Sequence, residues 1–184
     1  MSSTAAEKRI IIAFMGPSGA GKSTAAGHLV DQHGFTKIGF GDPIRAAILA
    51  IGVDAEDLQA DRKDTPNQIL SGATPRYAMQ TLGTEWGRML ISPNIWENIF
   101  CRRLSSCSSN RIVVDDVRFP GELELVRKEG GKAIWIEREN IIVSTKHVSE
   151  TSVFQIDADH TLNNGRDVGR FLTLVNQLIR SLPD

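Results

Sequence analysis

The chain has 184 residues, with 21 lysines and arginines against 22 aspartates and glutamates, and its formal net charge is −1. This length predicts one domain that folds without disulfides or a structural metal, and the near-neutral charge offers no basic field for nucleic acid. The two cysteines are too few for a disulfide framework, and the longest apolar runs are far shorter than the roughly 20 residues that span a bilayer. We expect a cytoplasmic monomer or homodimer that binds neither nucleic acid nor membranes.

Strands and helices alternate along the first part of the chain, after a polar tail over residues 1–8 that we expect to be disordered. Residues 9–15 form a continuous β-branched run, which is typical of a buried strand. A glycine turn, a helix over residues 22–33 and a short strand over residues 35–40 follow. Asp42 and Pro43 predict a capped helix start with proline in the first turn, and this helix extends to about Ile51.

The second part of the chain begins with a predicted helical insert over residues 54–104. It contains a polar segment to residue 74, a helix over residues 75–89 interrupted at Gly83, and a helix from residue 95. Strands over residues 111–115, 132–137 and 160–162 then alternate with helices over residues 120–129 and after Gly165. This order predicts an α/β domain over residues 9–184, with a mainly parallel sheet and helices on both faces.

One motif identifies a phosphate-binding loop. Residues 16–23 read Gly-Pro-Ser-Gly-Ala-Gly-Lys-Ser and match G-x-x-x-x-G-K-[ST] in full. Glycines let backbone amides converge on phosphate oxygens, and the following helix directs its positive end at the same anion. We expect Lys22 to reach the β- and γ-phosphates and the Ser23 hydroxyl to bind Mg²⁺. The predicted ligands are ATP and Mg²⁺, and the residues predicted to hold them are Gly16, Ser18, Gly19, Ala20, Gly21, Lys22, Ser23 and Thr24.

The length of the chain favours a small nucleotide or metabolite kinase among proteins with such a loop. A guanine-selective switch protein would carry an Asn-Lys-x-Asp string, which this sequence lacks. A motor or helicase would need a longer and more positive chain.

Two further groups of residues fit phosphoryl transfer. Asp115 and Asp116 close a predicted strand, where either carboxylate can reach a phosphate-bound Mg²⁺. Transfer to a phosphate acceptor brings two anions together, so it needs cations more than a base. Arg118 is the strongest candidate, because it follows these carboxylates at the carboxyl end of a strand. The full set of candidate arginines is Arg45, Arg76, Arg88, Arg118 and Arg138.

These residues lie in strings that resemble the deoxynucleoside monophosphate kinases of tailed bacteriophages, over nearly the whole chain after residue 8. The most diagnostic string is Asp115-Asp-Val-Arg118-Phe-Pro-Gly-Glu122. The others, besides the phosphate loop, are Phe40-Gly-Asp-Pro-Ile-Arg45, Arg76-x-x-Met-Gln80-x-x-Gly83-Thr-Glu85-x-Gly-Arg88, His147-Val-Ser-Glu150 and Asn163-Asn-Gly165. The chain departs from the family pattern at Gly41, where alanine is common, and at Gly121, where asparagine is usual.

The resemblance implies a three-layer P-loop NTPase fold and transfer of the ATP γ-phosphate to a deoxynucleoside monophosphate, giving the diphosphate and ADP. For a phage-encoded chain the site of action would be the host cytoplasm. Lys22, Arg118 and Arg138 would be catalytic, with Arg118 between the phosphates. A lid over residues 138–152 would contribute Arg138, His147 and Glu150. The acceptor would be bound by Asp42, Arg45, Arg76, Gln80, Glu85, Arg88, Arg118, His147 and Glu150.

Two other hypotheses are compatible with the motifs. One is a P-loop kinase of a hydroxyl acceptor such as dephospho-coenzyme A, for which Asp42 could serve as the base. The other is a nucleotide-dependent switch or binding module with slow ATP hydrolysis. The arginines on the acceptor side argue against the second hypothesis, because a switch has no second anion to bind.

Overall fold

The computed structural model describes residues 9–139, 158–165 and 167–182. The predicted tail over residues 1–8 and most of the predicted lid lie outside the described residues. His147 and Glu150 belong to that part of the chain, so their roles stay predictions.

A five-stranded sheet with parallel neighbours forms the centre of the molecule. Its order is β2-β3-β1-β4-β5, which places β1 in the middle. Ala13 pairs with Val114, so β1 and β3 end at the same edge of the sheet. The strands are β1 (Ile10–Met15), β2 (Thr36–Lys37), β3 (Arg111–Val114), β4 (Lys132–Glu137) and β5 (His160–Asn163).

The described residues also form six α-helices, a 3-10 helix and a π-helical segment. The α-helices are α1 (Lys22–His33), α2 (Asp42–Ala50), α3 (Pro75–Thr81), α4 (Ile95–Ser106), α5 (Pro120–Lys128) and α6 (Val168–Ser181). A 3-10 helix spans Ala55–Leu58, and a π-helical segment spans Leu82–Ile91. The 3-10 helix, α3, the π-helical segment and α4 occupy the predicted helical insert.

Each face of the sheet has its own apolar cluster. Ile12 of β1 packs with Phe171 of α6 and with residues of α1 on one face. Ile11 of β1 packs with Phe100 of α4 and with residues of α5 on the other face. Because β1 is buried on both faces, its sequence is continuously apolar rather than alternating. This arrangement confirms the predicted α/β fold with helices on both faces of the sheet.

Two local predictions before α2 were wrong. The strand expected over residues 35–40 is reduced to Thr36 and Lys37, because only these two pair with β3. Asp42 does not cap α2, since the helix begins at Asp42 itself and Gly41 is the N-cap residue. The Asp42 carboxylate instead accepts a hydrogen bond of 2.8 Å from the backbone N–H of Gly39.

The helix expected over residues 75–89, with an interruption at Gly83, also has a different form. The α-helix ends at Thr81 and a π-helical segment follows, in which the Ser92 N–H bonds to the Gly87 carbonyl oxygen five residues earlier, at 2.9 Å. Trp96 packs against Gly87, where a Cβ atom would lie 2.5 Å from its ring. Close packing by Trp96 therefore requires glycine in this widened turn.

Candidate active site

The phosphate loop joins β1 to α1 and holds glycines in left-handed backbone conformations. Gly16 has a φ of 134° and Gly21 a φ of 108°. A Cβ atom on Gly16 would lie 2.5 Å from the carbonyl oxygen of Ile136, and one on Gly21 would lie 2.4 Å from the side-chain nitrogen of Asn164. Neither position has room for a side chain, so both require glycine. With glycine there, the loop can adopt the backbone conformation that binds an anion at a helix N-terminus.

The loop opens into a cavity of about 280 Å³, which we call the loop cavity. Two of the predicted loop residues, Gly16 and Ala20, are buried and do not line this cavity. Lys22 Nζ donates to the carbonyl oxygens of Gly16 and Pro17, at 2.7 Å each, which holds the ammonium over the loop. The predicted loop residues that do line the cavity are Ser18, Gly19, Gly21, Lys22, Ser23 and Thr24.

Asn164, directly after β5, supports the loop from behind. Its buried side-chain amide donates to the carbonyl oxygen of Ala20 at 2.6 Å, and its backbone N–H donates to Glu137 at 2.7 Å. The side chain therefore connects the edge of the sheet to the loop, and it is also the group that excludes a side chain from Gly21. Asn164 was not among the predicted site residues.

Asp115 and Asp116 follow β3 and line the loop cavity as well. Asp115 Oδ2 accepts a hydrogen bond of 2.6 Å from Lys37 Nζ. Asp116 accepts the backbone N–H groups of Phe40, at 3.0 Å, and Gly41, at 2.8 Å. Burial and then the charge of Asp115 raise the pKa of Asp116 above its ordinary value. Asp116 therefore holds the turn before α2, whereas Asp115 faces a lysine.

A second cavity of about 130 Å³, the arginine cavity, lies beside α2, α3 and the π-helical segment. Its wall includes the aromatic side chains of Phe40, Trp96 and Phe119. Trp96 is buried, and its indole N–H donates to the carbonyl oxygen of Gly83 at 2.7 Å. The wall therefore combines aromatic surface with cations. The predicted site residues that line it are Arg45, Arg76, Gln80, Arg88, Asp116 and Arg118.

Arg88 is held in the arginine cavity by two carboxylates and a ring. Its Nη1 lies 2.8 Å from a carboxylate oxygen of Glu97, and its guanidinium carbon lies 4.2 Å from the centre of the Phe119 ring. Its Nη2 donates to Glu122, which also accepts the backbone N–H of Arg118 at 2.7 Å. Burial raises the pKa of Glu122, while the Arg118 N–H and the charge of Arg88 act in the opposite direction. Glu122 thus connects the π-helical segment to the turn after β3.

Hydrogen bonds fix the positions of three other predicted arginines. Arg76 forms an ion pair with Asp64, and its Nη2 lies 2.9 Å from Asp64 Oδ2. This hydrogen bond lowers the pKa of Asp64. Arg45 donates to a carbonyl oxygen at the end of the 3-10 helix, at 3.3 Å. Arg138 donates to the carbonyl oxygen of Gly19 at 3.0 Å, which places it at the loop cavity.

Two predicted acceptor residues lie away from the arginine cavity. Asp42 lines the loop cavity, where its Oδ2 accepts a hydrogen bond of 2.8 Å from Arg103. Glu85 is exposed on the π-helical segment and is not among the described lining residues of either cavity. Its proposed contact with the acceptor stays a prediction.

The two cavities share a wall. Among the described residues, those that line both cavities are Arg45, Lys63, Asp116 and Arg118. The shared wall therefore places three cationic side chains and one buried carboxylate between the phosphate loop and the arginine cavity.

Sequence reasoning missed several residues of this site. Glu122 belongs to the string that best identifies the family, so the sequence could have indicated it as a site residue. The sequence did not indicate Lys37, Lys63 or Arg103, because isolated cations usually belong to solvated surface. Asn164 stood in a quoted string, but only the structure shows its contact with the loop.

Two absences concern the described part of the chain alone. Within residues 9–139, 158–165 and 167–182, no group of three or more His, Cys, Asp or Glu side chains is arranged to hold a metal ion. No helix in those ranges is both long enough and apolar enough to cross a membrane. Cellular location and oligomeric state stay predictions.

Comparison with solved structures tests the fold class. Shikimate kinase from Acinetobacter baumannii matches with a TM-score of 0.51 and 13% sequence identity, covering 95% of this chain and 92% of that chain. At this identity the likeness shows the fold alone. A parallel sheet with the phosphate loop after its central strand, together with this likeness, defines the α/β fold of the P-loop class.

A family model described as deoxynucleotide monophosphate kinase matches residues 57–174. The chain belongs to the deoxynucleotide monophosphate kinase family. It is 30% identical over 181 residues to a protein of Acanthamoeba polyphaga mimivirus named as such a kinase, covering 90% of this chain and 94% of that protein. It is also 32% identical over 92 residues to the deoxynucleoside-5'-monophosphate kinase of Escherichia phage T5, covering 50% and 34% of the two chains. These matches confirm the resemblance and the enzyme class.

Proposed function

We propose that the protein transfers the γ-phosphate of ATP to a deoxynucleoside monophosphate, producing the diphosphate and ADP. The observation that carries this proposal is the shared wall of the two cavities, in which Arg45 and Arg118 face both the phosphate loop and the arginine cavity. ATP would bind in the loop cavity and the acceptor in the arginine cavity. Their phosphates would then meet at the shared wall.

The acceptor chemistry fits a site rich in cations. A monophosphate has its second pKa near 6, so its oxygen carries charge at pH 7 and needs no base to remove a proton. That oxygen attacks the γ-phosphorus, while the bond from the γ-phosphorus to the β–γ bridging oxygen breaks and ADP leaves. Lys22, Arg118 and Arg138 would offset the charge that spreads over the transferring group.

The arginine cavity supplies groups that suit a nucleoside monophosphate. Arg76 and Arg88 offer planar guanidinium groups for the phosphate oxygens. Gln80 offers an amide that both donates and accepts hydrogen bonds, which is the chemistry needed at the edge of a base. Trp96 and Phe119 give flat apolar surface for the ring.

The residues at the loop cavity fit a magnesium ion. The Ser23 hydroxyl and the Asp115 carboxylate line the same cavity beside Lys22, and Mg²⁺ prefers such oxygen ligands and completes its shell with water and phosphates. Asp115 Oδ2 faces Lys37, which leaves Oδ1 for the ion or its water. The Asp116 oxygens accept backbone N–H groups instead, so we assign Asp115 as the carboxylate on the metal side. When bound, Mg²⁺ neutralises phosphate charge.

The contacts of Asp42 disfavour a hydroxyl acceptor. A hydroxyl nucleophile needs a base to take its proton. The Asp42 carboxylate accepts from the Gly39 N–H and from Arg103, at 2.8 Å each. Both donors bind the same oxygen, Oδ2, so the carboxylate is engaged in holding the turn before α2 and Arg103.

An acceptor screen tests the proposal. The chain with ATP and Mg²⁺ is offered dAMP, dCMP, dGMP, dTMP, the matching ribonucleotides and dephospho-coenzyme A, and ADP release is followed in a coupled assay. We expect release that depends on a deoxynucleoside monophosphate. Turnover of dephospho-coenzyme A alone would support the hydroxyl-acceptor kinase, and ADP release that is indifferent to every acceptor would support a switch with slow ATP hydrolysis.

A further inference from the structure

Lys63 lies at the shared wall of the two cavities, in the turn region between the 3-10 helix and α3. It lines the loop cavity and the arginine cavity together with Arg45 and Arg118. Its side chain is half-buried rather than extended into solvent. It therefore lies where the phosphates of two bound nucleotides would meet.

The backbone of Lys63 is fixed by neighbouring elements. Its N–H donates to the carbonyl oxygen of Gln59 at 2.9 Å, and its carbonyl oxygen accepts the backbone N–H of Arg76 at 2.8 Å. The same turn of α3 therefore positions both Arg76 and Lys63. These bonds hold the position of Lys63 at the wall, so its presence there does not depend on a side-chain contact.

The surroundings of the Lys63 ammonium are mostly cationic. Burial, followed by the charges of Arg76, Arg118 and Arg45, lowers its pKa to about 8, whereas Asp64 acts in the opposite direction. Asp64 is itself paired with Arg76. Within the described ranges, Lys63 Nζ has no hydrogen-bond or salt-bridge partner. A cation held among cations without its own carboxylate is suited to binding an anion.

We propose that Lys63 is a further catalytic residue whose ammonium contacts the phosphate oxygens at the point where the γ-phosphate of ATP meets the acceptor phosphate. The proposal rests on the proposed function, since it needs two phosphate-bearing substrates in the two cavities. Lys63 would bind both anions and offset the charge that develops on the transferring group. Lysine suits this place because its flexible stem lets one charge follow the phosphoryl group between the two cavities.

Lys63→Met, Lys63→Arg and the control Lys128→Met test this role. Lys128 is exposed at the end of α5. Lys128→Met therefore removes the same positive charge as Lys63→Met, but at a distance from both cavities. We expect kcat/KM for the deoxynucleoside monophosphate to fall by about 30-fold or more in Lys63→Met. Lys63→Arg should keep more activity than Lys63→Met, and Lys128→Met should match the wild type. A Lys63→Met variant within about twofold of the wild type would overturn the proposal.

The pH profile separates a direct role from a structural one. Because kcat/KM reports ionisation of the free enzyme, the wild-type value should fall by about tenfold between pH 7 and pH 9, as the Lys63 ammonium loses its proton. Arginine stays protonated throughout this range, so Lys63→Arg should lack this fall. The same fall in both proteins would overturn the proposal.

A separate measurement tests Lys63 if the proposed function fails. If the wild type turns over no deoxynucleoside monophosphate, that function fails, and Lys63 is then tested by NMR of its side-chain Cε signal. Saturating ATP with inorganic phosphate should raise the pKa of Lys63 by about one unit or more. An unchanged pKa would overturn the role of Lys63. If Lys63→Met does not fold, the profile of Lys63→Arg and this titration decide the question.

Discussion

The Arg88 guanidinium and the Glu122 carboxylate form a buried ion pair, with 2.6 Å between Nη2 and Oε1. Only 13% of the Arg88 side chain and 4% of the Glu122 side chain are exposed. Since Glu122 also accepts the backbone N–H of Arg118, the pair connects two arginines of the arginine cavity. Loss of Arg88 would leave Glu122 buried without a counter-charge, and such losses are costly. Loss of Glu122 would leave Arg88 with Glu97 alone.

Glu122→Gln should therefore weaken acceptor binding more than ATP binding. The new amide N–H group would face N–H donors, so we expect a loss of roughly 2 kcal/mol in the free energy of unfolding. We also expect KM for the acceptor to rise by about tenfold while KM for ATP stays within about twofold. Glu124→Gln, on the exposed side of the same helix, is the matched control. Equal rises in both KM values would contradict this assignment.

Lys22→Ala should lower kcat by about 100-fold or more, because it removes a cation at the predicted β- and γ-phosphates. The fold should persist, since the Lys22 side chain lies at the loop cavity and outside both apolar clusters. Steady-state kinetics and thermal unfolding by circular dichroism check the two statements. Turnover close to that of the wild type would remove Lys22 from the mechanism.

Arg118→Ala should reduce turnover of the deoxynucleoside monophosphate far more than any ATP hydrolysis without acceptor. The variant keeps its backbone N–H, so the contact with Glu122 and the shape of the turn should survive. Both rates are measured in the same ADP assay, with Arg102→Ala as an exposed arginine control on α4. Equal losses in the two rates would place Arg118 on the ATP side alone.

Asn164→Ala should loosen the phosphate loop from behind. Loss of the 2.6 Å bond to the Ala20 carbonyl leaves that buried oxygen without this donor, at a cost of about 1–2 kcal/mol in the free energy of unfolding. We expect KM for ATP to rise by about tenfold and KM for the acceptor to change by less than about twofold. Asn163→Ala replaces the exposed neighbour and is the control. A variant with unchanged KM for ATP would show that the loop keeps its shape without Asn164.

Lys63 should make stability rise with pH in alkaline solution. The unfolded chain holds the Lys63 proton up to about pH 10.5, and the folded chain up to about pH 8. Between these values the unfolded state binds more protons, so the free energy of unfolding gains a positive slope with pH from this group. Urea unfolding of the wild type and Lys63→Met should give a difference in stability that grows in favour of the wild type from pH 8 to 10. A difference that does not vary with pH would contradict the lowered pKa.

The elements that local sequence determines were the predictable ones. The expected helix over residues 22–33 and the expected strand over residues 132–137 match α1 and β4. Gly21 and Gly34 lie on either side of α1, both in left-handed conformations that interrupt a helix. The phosphate loop is likewise contiguous in sequence, so its residues could be identified without the fold.

The elements that depend on distant contacts were not predictable. The π-helical segment requires Trp96 to pack on Gly87, and no pattern of spacing within the segment records that contact. The arginine cavity collects residues from α2, α3, the π-helical segment and the turn after β3. The chemistry of phosphoryl transfer named its arginines as candidates, but only the family resemblance assigned them to the acceptor beforehand. Lys63 lies in a polar segment without periodicity, and its place at the shared wall follows from the bond between its carbonyl and the N–H of Arg76.

The π-helical segment Leu82–Ile91 also restricts which insertions and deletions this part of the chain can tolerate. Its hydrogen bonds close five residues back, so the direction of Arg88 depends on the number of residues in the segment as well as on their identity. Deletion of one residue before Arg88 would restore the α-helical repeat and rotate that side chain by about 100°. Arg88 would then point away from Glu97 and Glu122. Substitutions can accumulate on the exposed side of this segment, whereas an insertion or deletion of one codon would remove the arginine from its cavity.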